Sequence, residues 1–180
     1  MKILKFGGTT TETDEKYKLV LDLVRKQEQV VVILSASPST STLLKDISTY
    51  LYQRNTEGAN ELLNKLEKDF SVHIEETFKT EQVKSEASDL LNNIIQEIRG
   101  FFNEVFTLFE ERVVVAQSEI LSTKLFTLLL KEQGVKAQQV SALDFMRIDR
   151  NGEPDLNYLR TELSAILKMK KDTNVFITQG

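Results

Sequence analysis

The 180-residue chain is 41% apolar, carries a net charge of −4 and contains no cysteine, which allows one sizeable core and rules out disulfides, thiolate zinc sites and a cysteine nucleophile. No cluster of Lys and Arg stands out and the pI is near 5.2, so neither nucleic acid nor an anionic membrane is an expected partner. The longest apolar run, Val30 to Leu34, is too short to span a bilayer, and no signal-peptide hydrophobic region follows Met1, so a cytoplasmic location is expected.

Ile3 to Phe6 is a short apolar segment closed by Gly7-Gly8, and it predicts a strand and a turn. Tyr17, Val20, Leu21 and Val24 then recur at helical spacing. Val30 to Leu34 is a continuous β-branched run, the pattern of a strand buried on both faces of a parallel sheet. The opening thirty-five residues therefore read as a βαβ unit. Residues 35–42 are small and hydroxyl-rich, and Leu44, Ile47 and Leu51 resume helical spacing.

From about 57 to 109 the pattern is helical throughout, with Leu62, Leu66 and Phe70 on one stripe and Val83, Ala87, Leu90, Ile94 and Ile98 on another. This predicts a helical hairpin broken near residues 72–80, with Gly100 bending its second helix. Val113 to Ala116 is a short apolar stretch, and a helix is predicted from about Ser118 to Gln133, closed by Gly134. Strands are expected near 137–140 and 174–178, separated by a turn at 149–154 and a helix carrying Leu159, Leu163 and Ile166. The fold class is α/β, a three-layer sandwich on a mainly parallel sheet with an inserted helical hairpin. The sequence stops at Gln179-Gly180, directly after a strand that needs neighbours, which predicts a piece of a larger domain.

Ligands of open α/β sheets bind beyond the carboxyl ends of the strands, so the segments after Phe6, after Leu34 and around Glu119 are the candidates. Gly7 and Gly8 can bring backbone N–H groups close to anionic oxygens, and Lys5 adds a positive charge. The spacing is neither a Walker loop nor a dinucleotide fingerprint, and a tight turn that needs glycines for its backbone is an equal reading. The hydroxyl-rich loop either receives a carboxylate at a helix N-terminus or simply caps that helix. Glu119 either meets an ammonium group or serves as an acidic residue of a first helical turn. His73, the sole histidine, has no neighbours at metal spacing and is expected at the surface, and no metal ligand is assigned.

Lys5-Phe6-Gly7-Gly8-Thr9-Thr10 closely resembles the opening motif of the aspartokinases, Lys-Phe-Gly-Gly-Thr-Ser, within the amino acid kinases. Val32 to Ser37 followed by Ser41-Thr42-Leu43-Leu44 is similar to the second segment of that family. Gln117-Ser118-Glu119-Ile120-Leu121-Ser122 looks like its Phe/His-Gly-Glu-x-x-Ser motif, and Gln138 to Asp144 and Val175 to Gly180 match its later strands.

The resemblance implies transfer of the ATP γ-phosphoryl group to the side-chain carboxylate of L-aspartate, at the head of lysine, threonine and methionine synthesis. By that resemblance Lys5 is the catalytic cation, Gly7, Gly8 and Thr9 line the phosphate site, and Ser35, Ser41 and Glu119 surround aspartate. Residues 1–180 would be the N-terminal portion of the kinase domain. The part expected to hold ATP and Mg²⁺ would lie beyond Gly180, so this chain alone is expected to be inactive and the full-length protein to be a homo-oligomer. Two positions depart from the pattern: Ser41 replaces a usual threonine, and Ser118 replaces a glycine and adds a side chain close to the pocket. Other readings are a different amino acid kinase, or a non-catalytic binding or assembly module of the same fold.

Overall fold

The computed structural model describes residues 1–10, 13–169 and 172–180. Four strands, β1 (Lys2–Phe6), β2 (Val30–Leu34), β3 (Ala137–Gln139) and β4 (Val175–Gln179), form a sheet of order β1-β2-β4-β3 in which every pairing is parallel. Phe6 pairs with Leu34 and Leu34 with Gln179, so the carboxyl ends of β1, β2 and β4 finish at one level.

The seven helices among the described residues are α1 (Asp14–Arg25), α2 (Pro38–Tyr52), α3 (Thr56–Thr77), α4 (Glu81–Gly100), α5 (Leu108–Glu132), α6 (Ala142–Phe145) and α7 (Leu156–Met169). Alternation along the strands divides the interior, because successive side chains point to opposite faces. Val30, Val32, Leu34, Val175 and Ile177 join the large core made by α1 to α5. Val31 and Phe176 face Val140, Phe145 and the apolar side of α7. The result is the expected three-layer α/β arrangement.

Helices α3 and α4 form the expected hairpin, broken at residues 78–80, and Arg99 ties them together through Asn64 at 2.9 Å and Glu67 at 3.1 Å. Thr80 precedes α4 without a side-chain capping bond of its own. Glu132, at the far end of α5, supplies it instead, accepting from the backbone N–H groups of Lys79 and Thr80 at 2.9 and 2.8 Å and from the Thr80 hydroxyl at 2.9 Å. Such capping answers amide groups that a helix start leaves without internal partners.

Three expectations are corrected. Gly100 does not bend α4; it ends it, and a 3₁₀ turn at Phe101–Asn103 follows. Strand β3 stops at Gln139, one residue before the predicted end. Most important, α5 is one continuous helix from Leu108, with no separate apolar stretch before Ser118. Its start is fixed by a reciprocal capping box between Thr107 and Glu110, and Val114 is buried as a helical core residue. By length and composition α5 could cross a membrane, yet more than half of its apolar window is buried against the rest of the chain, as befits the central helix of a core.

Candidate functional site

The parallel register makes the site. Strands β1, β2 and β4 release their chains at one edge of the sheet, where the segments following Phe6 and Leu34 lie side by side. The ladder continues one step past the strands, with the Ser35 N–H donating to the Phe6 carbonyl at 3.1 Å. Gly8 packs so tightly on this second segment that a Cβ there would lie 2.3 Å from the Ala36 carbonyl oxygen. Close approach, not an unusual backbone angle, therefore requires that glycine. Gly7 differs: a Cβ would meet nothing within 4 Å, so no contact among the described residues explains its small size, and its surroundings leave room for a ligand. Thr9 is exposed in the 3₁₀ turn Gly8–Thr10, which opens with Thr10 N–H donating to the Gly7 carbonyl at 2.9 Å.

Glu119 reaches this place from inside α5, not from a first helical turn. Its Oε2 accepts the Ala36 N–H at 2.8 Å, across 83 residues of sequence. The side chain is half-buried, and burial pushes its carboxyl above the ordinary range, opposed by the hydrogen bond from Ala36. One turn of α2 away, Ser41 donates to the Ser118 Oγ at 3.2 Å. Ser35, Ser41 and Glu119 are thus gathered through two bridges, Glu119 to Ala36 and Ser41 to Ser118.

Lys5 occupies a different position. It shares a row with Ile33 and Thr178 on the sheet face opposite Phe6. It is exposed, and its side chain makes no ion pair or hydrogen bond among the described residues. Its charge is therefore uncommitted at the carboxyl end of β1.

The hydroxyl-rich loop does both things its composition allows. Ser37 caps α2 by accepting the Thr40 N–H at 3.3 Å, and Ser39 and Thr40 hydroxyls cluster around it at 3.0 and 2.9 Å. Ser41 is left for other work. Beside this loop lies a cleft of about 730 Å³, walled by Ser37, Ser39, Tyr17, His73, Ser118 and Ser122 among others. His73 is accordingly not a plain surface residue: it is half-buried, with its ring edge-on to Tyr17 at 6.0 Å and to Phe70 at 6.2 Å. Helical spacing from Leu66 and Phe70 is the signal that could have placed it inward.

At the end of β4, Gln179 bridges both layers. Its Oε1 accepts the Ala142 N–H at 2.7 Å and its Nε2 donates to Thr123 Oγ1 at 3.2 Å. Sequence reading missed Gln179, although its place at a strand terminus made it a candidate. No group of three or more His, Cys, Asp or Glu side chains that could hold a metal occurs among the described residues.

A parallel α/β sheet with a glycine pair after its first strand, a lysine beside it and a carboxylate bridged to the segment after its second strand places its candidate ligand site at the carboxyl edge of the strands. The chain belongs to the amino acid kinase family, whose profile matches residues 1–180. It is 26% identical over 173 residues to Aspartokinase 1, chloroplastic, of Arabidopsis thaliana, covering 94% of this chain and 30% of that protein. It superposes on E. coli aspartokinase III, in complex with aspartate and ADP, with a TM-score of 0.81 and 25% identity, over 100% of this chain and 40% of that one. The aspartate kinase of Clostridium acetobutylicum shares the fold, with a TM-score of 0.73 at 13% identity over 38% of its length. The chain thus spans between 30% and 40% of the length of these relatives.

Proposed function

We propose that this chain is the substrate-side portion of an aspartate kinase, which moves the terminal phosphoryl group of ATP onto the side-chain carboxylate of L-aspartate. The observation that carries the reading is the Glu119–Ala36 bridge at 2.8 Å beside Ser41 at the sheet's carboxyl edge. It fixes a carboxylate where an amino acid's ammonium group can pair with it. The relative solved with aspartate and ADP supports the same substrates here.

In the reaction a carboxylate oxygen of aspartate attacks the γ-phosphorus, the bond from that phosphorus to the β-phosphate oxygen breaks, and ADP and 4-phospho-L-aspartate result. Such transfer needs positioning and charge stabilisation more than covalent help. Glu119, Ser35 and Ser41 hold and orient aspartate. Lys5, whose side chain has no partner among the described residues, neutralises charge on the transferring group, and Gly7 leaves the open space through which its backbone N–H reaches phosphate oxygens. Thr9 lies on the same turn. ATP and Mg²⁺ are proposed to be held mainly by parts of the longer relatives that this chain does not span. A role in lysine, threonine and methionine synthesis, and a cytoplasmic, homo-oligomeric enzyme, are proposed with it on the family resemblance alone.

The test is ADP release by the full-length gene product with L-aspartate, L-glutamate and N-acetyl-L-glutamate as acceptors. Aspartate-dependent turnover is expected. Preference for a glutamate-type acceptor would transfer the chain to another amino acid kinase, and turnover with none of the three would favour a non-catalytic module.

A further inference from the structure

Donor and acceptor bookkeeping around Ser41 leaves one arrangement. The Val115 backbone carbonyl can only accept, so Ser118, at 2.9 Å from it, must donate its single hydroxyl proton there. Ser118 Oγ then has only lone pairs for Ser41, 3.2 Å away. The other neighbour of the Ser41 hydroxyl is the Ser37 carbonyl at 3.3 Å, again an acceptor only. Ser41's one proton is consumed by these two groups, and what remains to face a ligand is oxygen lone pairs. Ser118 is 2% exposed, so water does not compete for this relay, and its neighbour in sequence is Glu119, whose carboxylate is likewise an acceptor.

We propose that Ser118 is a positioning residue that sets substrate specificity: it holds the Ser41 hydroxyl as an acceptor, so that Ser41 and Glu119 together select a ligand bearing an ammonium group. The inference rests on the reading that aspartate occupies this pocket. It adds that discrimination between an amino acid and the matching dicarboxylic acid without the amine depends on a hydroxyl that acts through Ser41. The relay runs Ser41 to Ser118 to Val115, joining α2 to α5 across 77 residues. Removing the Ser118 hydroxyl leaves Ser41 with the Ser37 carbonyl alone, a long bond on its own helix, and lets the proton turn toward the ligand. A donor there repels ammonium and accommodates a carboxylate or nothing.

The experiment compares binding of L-aspartate and succinate by calorimetry to the full-length protein, its Ser118→Ala variant, Ser41→Ala, and the double variant. Alanine keeps the Cβ and removes only the hydroxyl. The wild-type protein is expected to prefer aspartate, and Ser118→Ala to cut the aspartate-to-succinate affinity ratio by about 3- to 10-fold, the size of one hydrogen bond. The effect should come from weaker aspartate binding and should vanish in the Ser41→Ala background. An unchanged ratio in Ser118→Ala overturns the inference, as does the same loss of ratio whether or not Ser41 is present. Wild-type protein that binds no aspartate, or binds succinate equally, removes the aspartate reading itself and this inference with it, an outcome distinct from the other two.

Discussion

Replacing Glu119 by glutamine separates charge from architecture at the centre of the pocket. The carboxylate's structural task is to accept the Ala36 N–H at 2.8 Å, and a glutamine carbonyl oxygen can accept the same bond. What is lost is the negative charge offered to an ammonium group. A hydrogen bond between charged partners contributes about 1.5–3 kcal/mol, so the KM and Kd for aspartate should rise roughly 10- to 100-fold, while the KM for ATP stays put. Stability moves the other way or not at all. Burial raises the Glu119 pKa in the folded protein, so its ionised form disfavours folding above that pKa, and a neutral glutamine removes the disadvantage at neutral pH. The melting temperature should therefore hold or rise. The same shift gives a pH signature: wild-type aspartate affinity should decline on acidification with a midpoint above the ordinary glutamate value of about 4.3, and the Gln variant should lack that limb. Kinetic titration across pH, paired with thermal melting, measures both. An unchanged aspartate KM in Glu119→Gln would refute the pocket assignment.

The two glycines after β1 should respond in opposite ways. Gly8→Ala drives a Cβ against the Ala36 carbonyl and should cost about 1–3 kcal/mol in urea unfolding, whereas Gly7→Ala should leave stability alone and lower kcat, and equal stability losses would contradict the packing described. Lys5→Ala, at an exposed and unpaired position, should change stability by less than about 0.5 kcal/mol yet depress kcat in the full-length enzyme with little effect on aspartate affinity. A normal kcat would take the lysine out of the mechanism. Glu132→Ala removes the cap of α4 and should cost about 0.5–2 kcal/mol. Burial pushes the Glu132 carboxyl up, but bonds from Thr80 and Lys79 outweigh it and hold the pKa below normal. Its contribution is thus present at neutral pH and lost as pH falls through that lowered value, so the wild-type and variant unfolding curves should converge in acid.

Much of this was legible from the chain alone, for physical reasons. The β-branched run Val30 to Val32 and the Val175 to Ile177 segment announce strands buried on both faces, and glycines after β1 mark the strand-to-loop edge where α/β ligands bind. Val113 to Ala116 reads as a short apolar stretch set apart from the helix because β-branched residues are weak helix formers, whereas burial of Val114 and the capping box at Thr107 and Glu110 override that weak preference. The Thr-x-x-Glu spacing was the available signal for an earlier helix start. With α5 begun too late, Glu119 read as a first-turn residue. The bridges of Glu119 to Ala36 and Ser41 to Ser118 lie outside any local pattern, since nothing within one helical turn encodes partners so remote. His73 went astray because one histidine in a polar stretch carries no periodicity of its own.

The helical hairpin bears on the order in which the molecule assembles. Contacts 83 and 77 residues apart define the pocket, and bringing such distant points together through bare chain carries a loop-closure entropy that local structure does not. Antiparallel α3 and α4 pair with each other across a short break, as Lys84 does with Glu75 at 2.6 Å, and can form early, returning the chain to within reach of its starting point. Once they have formed, the effective separation of α2 and α5 is a fraction of the residue count. The hairpin then acts as an internal tether that shortens the effective loop between α2 and α5, so changes within it would be felt in the rate at which the pocket closes.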